Sequence, residues 1–471
     1  MRRTILWLVI SAPMCRAPMA AQLAAAPAAP TPQISSFTVQ AQAAAQGSTS
    51  SAAPQLPAAG LPQRLTLQDA EAQALRNNPQ ISVARLLLLA SGQVTREQRS
   101  AYFPNVTASL TAVDAQQGSR LAAGALNNPA LLTRAAGGMA ISQLITDFGR
   151  TANLVAAAAL RARAADMNAA ATSAQIRLAV EEAFFGALQS RAEQMVAEQT
   201  VKARQLVSDQ ITTLFQNKLR SELDVSFANA NLAQARLLLL DAQNNYQAAL
   251  SRLSEVMGSV GQQPIDPVEP QAEPNAPPSS TAELEQQAFH NRPEIAAQSY
   301  EYQAERRFQN AERDLLLPTI SALGVAGQAA AGSSLNAVPQ FPTWYGAAGV
   351  NLNLPVFNGF QNVARWREAG FRAQAANEQL RDVKDRIANE VRTSWLNAVT
   401  AYNRIAVSRQ FLEQSNLALN LSQARYDLGL SSIVELSQAQ LQQTQAQIQF
   451  AAATYQYRIA EAVLRFQAAA P

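Results

Sequence analysis

One structural unit is written twice in this chain, and any fold must accommodate both copies. Pro79 and Pro104 are separated by the same stretch of chain as Pro293 and Pro318. Ala74-Leu75-Arg76-Asn77-Asn78 stands before the first proline of one pair, Ala288-Phe289-His290-Asn291-Arg292 before that of the other. Gly149 then opens a long helical tract in the first copy, as Gly359 does in the second. The stretch from Gly149 to Leu219 is a single residue shorter than that from Gly359 to Leu430. A repeat of roughly 210 residues is far longer than a solenoid unit of about 20–50, so a whole multi-element unit has been duplicated.

Proline then sets the lengths. None occurs between Pro129 and Pro264, or between Pro355 and Pro471. An interior proline costs a helix about 3 kcal/mol, so these tracts permit very long helices. Ile176, Val180, Phe184 and Leu188 recur every four residues; Ile387, Val391, Trp395, Ala398, Tyr402 and Ile405 alternate steps of four and three. Both are stripes suited to a coiled-coil-like seam. Helices of about 65 residues would run to roughly 100 Å. In the first copy, tracts 66–102 and 221–257 are each about half as long as 149–216; the second repeats this with 281–316 and 432–468 against 359–427. Two half-length tracts stacked end to end would match the long helix beside them. Thr66-Leu67-Gln68-Asp69 and Ser280-Thr281-Ala282-Glu283 supply the capping pattern that starts each copy.

Between the helical tracts the period drops to two. Asn105 to Ala112 and Val350 to Leu354 alternate polar and apolar residues, the mark of strands with one wet and one dry face. Stretches 136–145 and 319–327 are weaker strand candidates, with loops at 116–130 and 328–342. Each copy thus carries one hairpin, at 103–146 and 318–357, between helices. Two isolated hairpins would leave exposed edges, whereas several chains pooling theirs into a closed barrel would remove them.

The ends of the copies read as different material. Residues 1–26 have a leader's pattern: Arg2 and Arg3, then the apolar run Ile5 to Ile10, then small residues near Ala20. Residues 27–63, rich in Ala and Pro, read as a disordered tether, and 259–280 as a Pro-rich linker between a first repeat at 64–258 and a second at 281–471. Without Arg2, Arg3 and Arg16 of the leader, the chain carries 34 basic against 34 acidic side chains, which removes the electrostatic footprint of a nucleic-acid partner. Cys15 is the only cysteine and sits inside or beside the leader, to be removed with it or to carry a lipid anchor; either way neither a disulfide nor a cysteine metal site is expected.

With these elements in order, the chain resembles the outer-membrane efflux protein family, the TolC-like outer-membrane factors, over essentially all of 64–468. The resemblance rests on Leu65-Thr66-Leu67-Gln68-Asp69-Ala70 with Asn77-Asn78-Pro79, and on Tyr102-Phe103-Pro104 leading into a strand. Leu354-Pro355-Val356-Phe357-Asn358-Gly359 and Arg425-Tyr426-Asp427-Leu428-Gly429-Leu430 extend it. It implies a mainly α fold with a small antiparallel β part. Long helices would form a trimeric α-barrel in the periplasm, under a shared twelve-stranded barrel in the outer membrane to which each protomer gives four strands. It also implies a homotrimer in contact with outer-membrane lipid, a periplasmic adaptor and an inner-membrane pump, and no cofactor. Carried over residue by residue, Leu428, Gly429 and Leu430 match the adaptor-docking turn. Leu219 matches it in the first copy, where Lys218 replaces the glycine. Asp224 and Glu435 match the acids that narrow the closed pore, and Gln438 stands where a further acid is expected. Three copies of each acid around one axis would favour cations. The expected function is an exit duct for small toxic molecules or secreted polypeptides.

Enzyme chemistry finds no footing. His290 is the sole histidine and aligns with Arg76 of the other copy, at a solvated helix position. Glu181 and Glu182 are consecutive on a predicted helix and point apart. Gly137-Gly138 and the stretch from Gly324 to Gly332 lack the Lys-Ser/Thr of a phosphate loop. The rival reading is a periplasmic or secreted coiled-coil scaffold without channel activity. It leaves the alternating segments, and the aromatics Tyr102, Phe103, Trp344, Tyr345 and Phe357 near their ends, without purpose.

Overall fold

The computed structural model describes residues 63–113, 134–259, 265–270, 275–331 and 344–470. The leader with Cys15, nearly all of the 27–63 tether, loop 116–130 and most of loop 328–342 lie outside the described residues. The first copy contributes β1 (Gln63–Leu65), α1 (Leu67–Asn77), α2 (Pro79–Arg99), β2 (Asn105–Val113), β3 (Arg134–Thr146), α3 (Arg150–Gln216) and α4 (Glu222–Val256). After β4 (Ile265–Pro267), the second contributes α5 (Thr281–Asn291), α6 (Pro293–Asp314), β5 (Thr319–Ala331), β6 (Trp344–Asn353), α7 (Gln361–Asp427) and α8 (Ile433–Gln467).

The two long helices, α3 and α7, each run 67 residues, about 100 Å at 1.5 Å per residue. The half-length tracts at 66–102 and 281–316 are not single helices. Each breaks at its proline, because the residue before a proline is pushed out of the helical region and Pro79 and Pro293 suit the first position of a new helix. Asn78 fills this break by accepting from the Gln80 N–H at 2.8 Å.

α3 is the centre of the helical packing. It has α2 and α4 along one side and α6 and α8 along another, and α7 packs on the far side of α6 and α8. Ile176, Val180, Phe184 and Leu188 are all buried, in a core that also takes in Ala70, Ala74, Leu253 and Met257. Of the second stripe, Ile387, Val391 and Ala398 are buried, whereas Tyr402 is 37% exposed and meets the Tyr457 ring edge-on at 5.2 Å. The half-helices join end to end as their lengths require. Asn78 Nδ2 donates to the Val256 carbonyl at 2.8 Å, and Arg292 reaches Gln467 across the matching joint.

The four longer strands form one antiparallel sheet in the order β2-β3-β5-β6, so the two hairpins are joined through β3 and β5. β1 and β4 form a separate parallel pair, unforeseen because three-residue strands carry no periodicity. The linker around β4 is fastened to the helices by polar clamps. Arg191 binds Asp266 at 2.6 Å, Tyr455 Oη donates to Glu269 at 3.0 Å and Trp395 Nε1 to the Pro278 carbonyl at 2.8 Å. Tyr457 Oη donates to the Asn275 carbonyl.

The structural alignment also corrects one equivalence. α3 starts after Gly149, whereas α7 starts after Phe360, so Gly149 pairs with Phe360 and not with Gly359. The step from Arg150 to Gln361 then equals the step from Leu219 to Leu430, which removes the single-residue mismatch between the copies. Phe148-Gly149 and Gly359-Phe360 occupy the same two left-handed positions in opposite order, with φ of 55° and 111° against 63° and 64°.

Candidate functional site

Two ends of the molecule carry the features that bear on function: the sheet, and the turns where the long helices reverse. In the sheet, register sorts the side chains onto two faces. Val106, Ala108 and Leu110 pair with Ile141, Met139 and Gly137, and the row continues through Gly324 and Ala326 to Ala348 and Gly346. Ala322 and Ile320 on β5 meet Val350 and Leu352 on the same face. This face is apolar and open: Leu110 is 87% exposed and Val350 69%. The opposite face is more polar, with Asn105, Thr107, Ser109, Ser142, Asn351 and Asn353, though Leu323 and Val325 of β5 also lie on it. β6 is exposed at every residue. On the polar face Tyr345 lies across two glycines: a Cβ at Gly327 would stand 2.6 Å from its hydroxyl oxygen and one at Gly138 2.8 Å. Those glycines are present because the ring occupies their side-chain space.

At the other end, the two turns share one geometry. α3 closes with Leu219 N–H donating to the Leu214 carbonyl at 2.9 Å, and α7 with Leu430 N–H donating to the Arg425 carbonyl at 2.8 Å. Both are Schellman closures, which need a left-handed residue just past the helix. Gly429 supplies it at φ 71° and Lys218 at φ 61°, so the lysine that departs from the family pattern still takes the glycine's conformation. Leu219, Leu428 and Leu430 stand exposed on these turns.

Ser221 and Ser432 then cap the next helices by accepting from the N–H of Asp224 and Glu435, at 3.2 and 3.4 Å. The two acids diverge here. Asp224 returns its carboxylate to the Ser221 N–H at 3.0 Å, completing a capping box. Glu435 turns to Arg425 instead, at 3.5 Å. The turns are tied together by residues that the sequence reading did not assign. Arg220 Nη2 donates to the Tyr426 carbonyl at 2.9 Å, and its guanidinium lies 4.1 Å from the Tyr426 ring centre. Tyr426 packs with Ile211, Ala228, Ile433 and Leu436. Burial raises the Tyr426 phenol's pKa; Arg220 opposes this, and Asp224 and Asp427 add to it. Asn231 Nδ2 also donates to Ser437 Oγ at 2.7 Å, joining α4 to α8. Comparison of the copies would have flagged Arg220, because its counterpart is Ser431.

Among the described residues, no helix is long and apolar enough to cross a membrane, and no group of three or more His, Cys, Asp or Glu could hold a metal ion.

A rod of paired long helices ending in a sheet with one bare apolar face is the architecture of outer-membrane channel subunits. The Campylobacter jejuni CmeC outer membrane channel superposes with a TM-score of 0.73 at 17% identity, covering 85% of each chain. The model of the outer membrane efflux protein family matches residues 70–259 and 284–469, and the chain belongs to that family. It is 24% identical to the outer membrane protein TolC of Salmonella enteritidis over 263 residues, which cover 55% of this chain and 53% of TolC. To the outer membrane efflux protein BepC of Brucella suis it is 23% identical over 360 residues, 75% of this chain and 74% of BepC. The aligned region thus spans about half of TolC's length.

Proposed function

We propose that this protein is the outer-membrane exit duct of a tripartite efflux or type I secretion system. It would pass small toxic molecules or polypeptides outward from the periplasm and an inner-membrane pump. The observation that carries this reading is the sheet. Its apolar face is bare, its other face carries the asparagines, serines and threonines together with Leu323 and Val325, and among the described residues β2 and β6 have no strand partner on their outer edges. A bilayer accepts strands only in a closed barrel, with apolar residues outward and polar ones lining the interior. Copies of the chain, three by the family pattern, would close that barrel in the outer membrane and continue as a helical duct into the periplasm. Charge balance beyond the leader supports contacts with lipid and protein rather than nucleic acid.

The far end would then be the gate. Leu428 and Leu430, presented around Gly429, with Leu219 of the other turn, form the surface offered to a periplasmic adaptor, and Asp224 and Glu435 line the constriction. Adaptor contacts that favour the splayed form would shift the closed duct toward open. The reading is tested by the mass of the mature protein in detergent, followed by planar-bilayer conductance. A trimer giving cation-preferring channels is expected; a soluble monomer that never conducts overturns the duct. Asp224→Ala with Glu435→Ala is expected to raise conductance or weaken cation preference, and unchanged selectivity removes both acids from the constriction.

A further inference from the structure

The seam between the two hairpin ends encloses a charge without a partner. On α3, Ala197, Arg204 and Ile211 recur every seven residues and share one face of the helix. Ala197 and Ile211 are buried to 1% exposure or less, and Arg204 between them is 8% exposed. Ile211 packs with Ala228 of α4 and with Ile433 and Leu436 of α8, so this face looks onto both of those helices.

The neighbours of Arg204 follow from the antiparallel packing. Along α8, Arg465 pairs with Glu181 of α3 at 3.2 Å and Leu436 meets Ile211. Between those two points Gln440 and Thr444, both buried, come level with Arg204. Along α4, Asn229 accepts from Ser208 and Arg236 donates to Gln205, which places the buried Leu232 and Ala235 at the same level. None of these four residues is acidic. Among the described residues Arg204 has no ion pair, and its Nη1 is buried without a hydrogen-bond partner. Burial alone pulls its pKa down to about 10, so the guanidinium is still charged at neutral pH. A buried cation with neither an acid nor a full set of acceptors is costly to the packed state.

The duplicated fold does not require it. Arg204 corresponds to Ser415, and the same seven-residue row on α7 is Ser408, Ser415 and Ser422. Ser408 and Ser415 are buried as Arg204 is, but carry no charge. One copy of the unit has thus kept, at the level of the seam, a residue that works against close packing.

We propose that Arg204 biases the gate toward opening, as a cation that is unsatisfied while the two hairpins are packed and gains water when they part. It stands roughly 18 Å from the tip end of α3, within reach of the splaying that opens the duct. The closed form carries the whole desolvation penalty and the splayed form sheds it, which is a standing preference for the open state. Adaptor contacts then have less differential affinity to supply. This inference rests on the duct reading, because without a gate the charge would only lower stability.

The test compares Arg204→Met and Arg204→Lys with the wild-type assembly at pH 6, by thermal unfolding in detergent and by the open fraction in planar bilayers. Methionine keeps a long straight side chain and removes the charge; lysine keeps both. Arg204→Met is expected to raise the unfolding midpoint by a few degrees and to cut the open fraction about tenfold, with Arg204→Lys close to wild type. Equal behaviour of the two variants overturns the proposal, since length rather than charge would then matter. A higher midpoint with an unchanged open fraction overturns the gating role. A lower midpoint for Arg204→Met also overturns it, and makes the arginine a residue that fixes the register of the seam. A wild-type assembly that never conducts removes the duct, and the gate with it, whatever the midpoints show.

Discussion

Each repeat has a joint where its last helix runs into its first two, and the two joints keep the same backbone with different chemistry. In the first, Gly258 follows α4 at φ 67°, and a Cβ there would lie 2.7 Å from the Asn77 carbonyl oxygen. Asn78 completes this joint through the Val256 carbonyl, backbone nestled against backbone. In the second, Ala469 takes the left-handed position at φ 48°, and Arg292 spans the gap. That arginine, 6% exposed, meets Glu294 through two bonds of 3.0 Å and reaches the Gln467 carbonyl and side-chain oxygens at 3.3 and 2.6 Å. Its guanidinium also lies 4.9 Å from the Phe466 ring centre. The duplicated fold has preserved conformation, and each copy has found its own residues to hold it.

Breaking the first joint should cost most. Gly258→Ala must combine a left-handed alanine with a clash against backbone, for a loss of about 3 kcal/mol. The reverse change at the twin position, Ala469→Gly, should gain about 1 kcal/mol, since only the conformational strain is removed. Urea unfolding followed by helical circular dichroism reads both, and losses of equal sign would show that the joints are not twins. Next in size is Arg292→Met. It leaves Glu294 half-buried without its partner and removes both bonds to Gln467, for a loss of about 2–3 kcal/mol. Asn78→Ala should lose about 1–2 kcal/mol as a cap and a carbonyl partner disappear together. Arg292→Lys sharpens the contrast: a lysine cannot make the forked contact with Glu294 and should recover only part of the loss.

Legibility in the sequence followed the reach of each signal. Helix starts marked by a capping pattern were readable, as Thr66 and Ser280 open α1 and α5 where that pattern places them, whereas the breaks at Pro79 and Pro293 fall inside tracts read as continuous. The longer strands were readable from alternation, though β3 and β5 extend beyond the stretches that alternate well. Glycine was a poor landmark. Phe148-Gly149 and Gly359-Phe360 each spend one non-glycine residue in the left-handed region, so aligning the glycines shifts one helix by a residue. What depended on contacts between distant segments was not legible: the β1–β4 pair, the clamps of Arg191, Tyr455 and Trp395 on the linker, and Tyr345 over Gly138 and Gly327. Arg220 on Tyr426 belongs to the same group, because 206 residues separate the partners and no local pattern announces them.

The tip turns make the finest comparison, since they share their closing backbone hydrogen bonds and put different residues in the left-handed position. Lys218 stands at φ 61° where Gly429 stands at 71°, and nothing lies within 4 Å of the place a Cβ at Gly429 would occupy. Space is therefore not what selects glycine in the second turn; conformation is. Lys218→Gly should stabilise the first turn by about 1 kcal/mol, and Gly429→Lys should cost the second about the same. Hydrogen exchange at the Leu219 and Leu430 N–H groups measures this turn by turn, because those are the amides that close each helix. Protection should rise at Leu219 in the first variant and fall at Leu430 in the second, with the other turn unchanged in each. If both turns change together, the Arg220–Tyr426 contact couples them strongly enough that the two hairpin ends open as one unit.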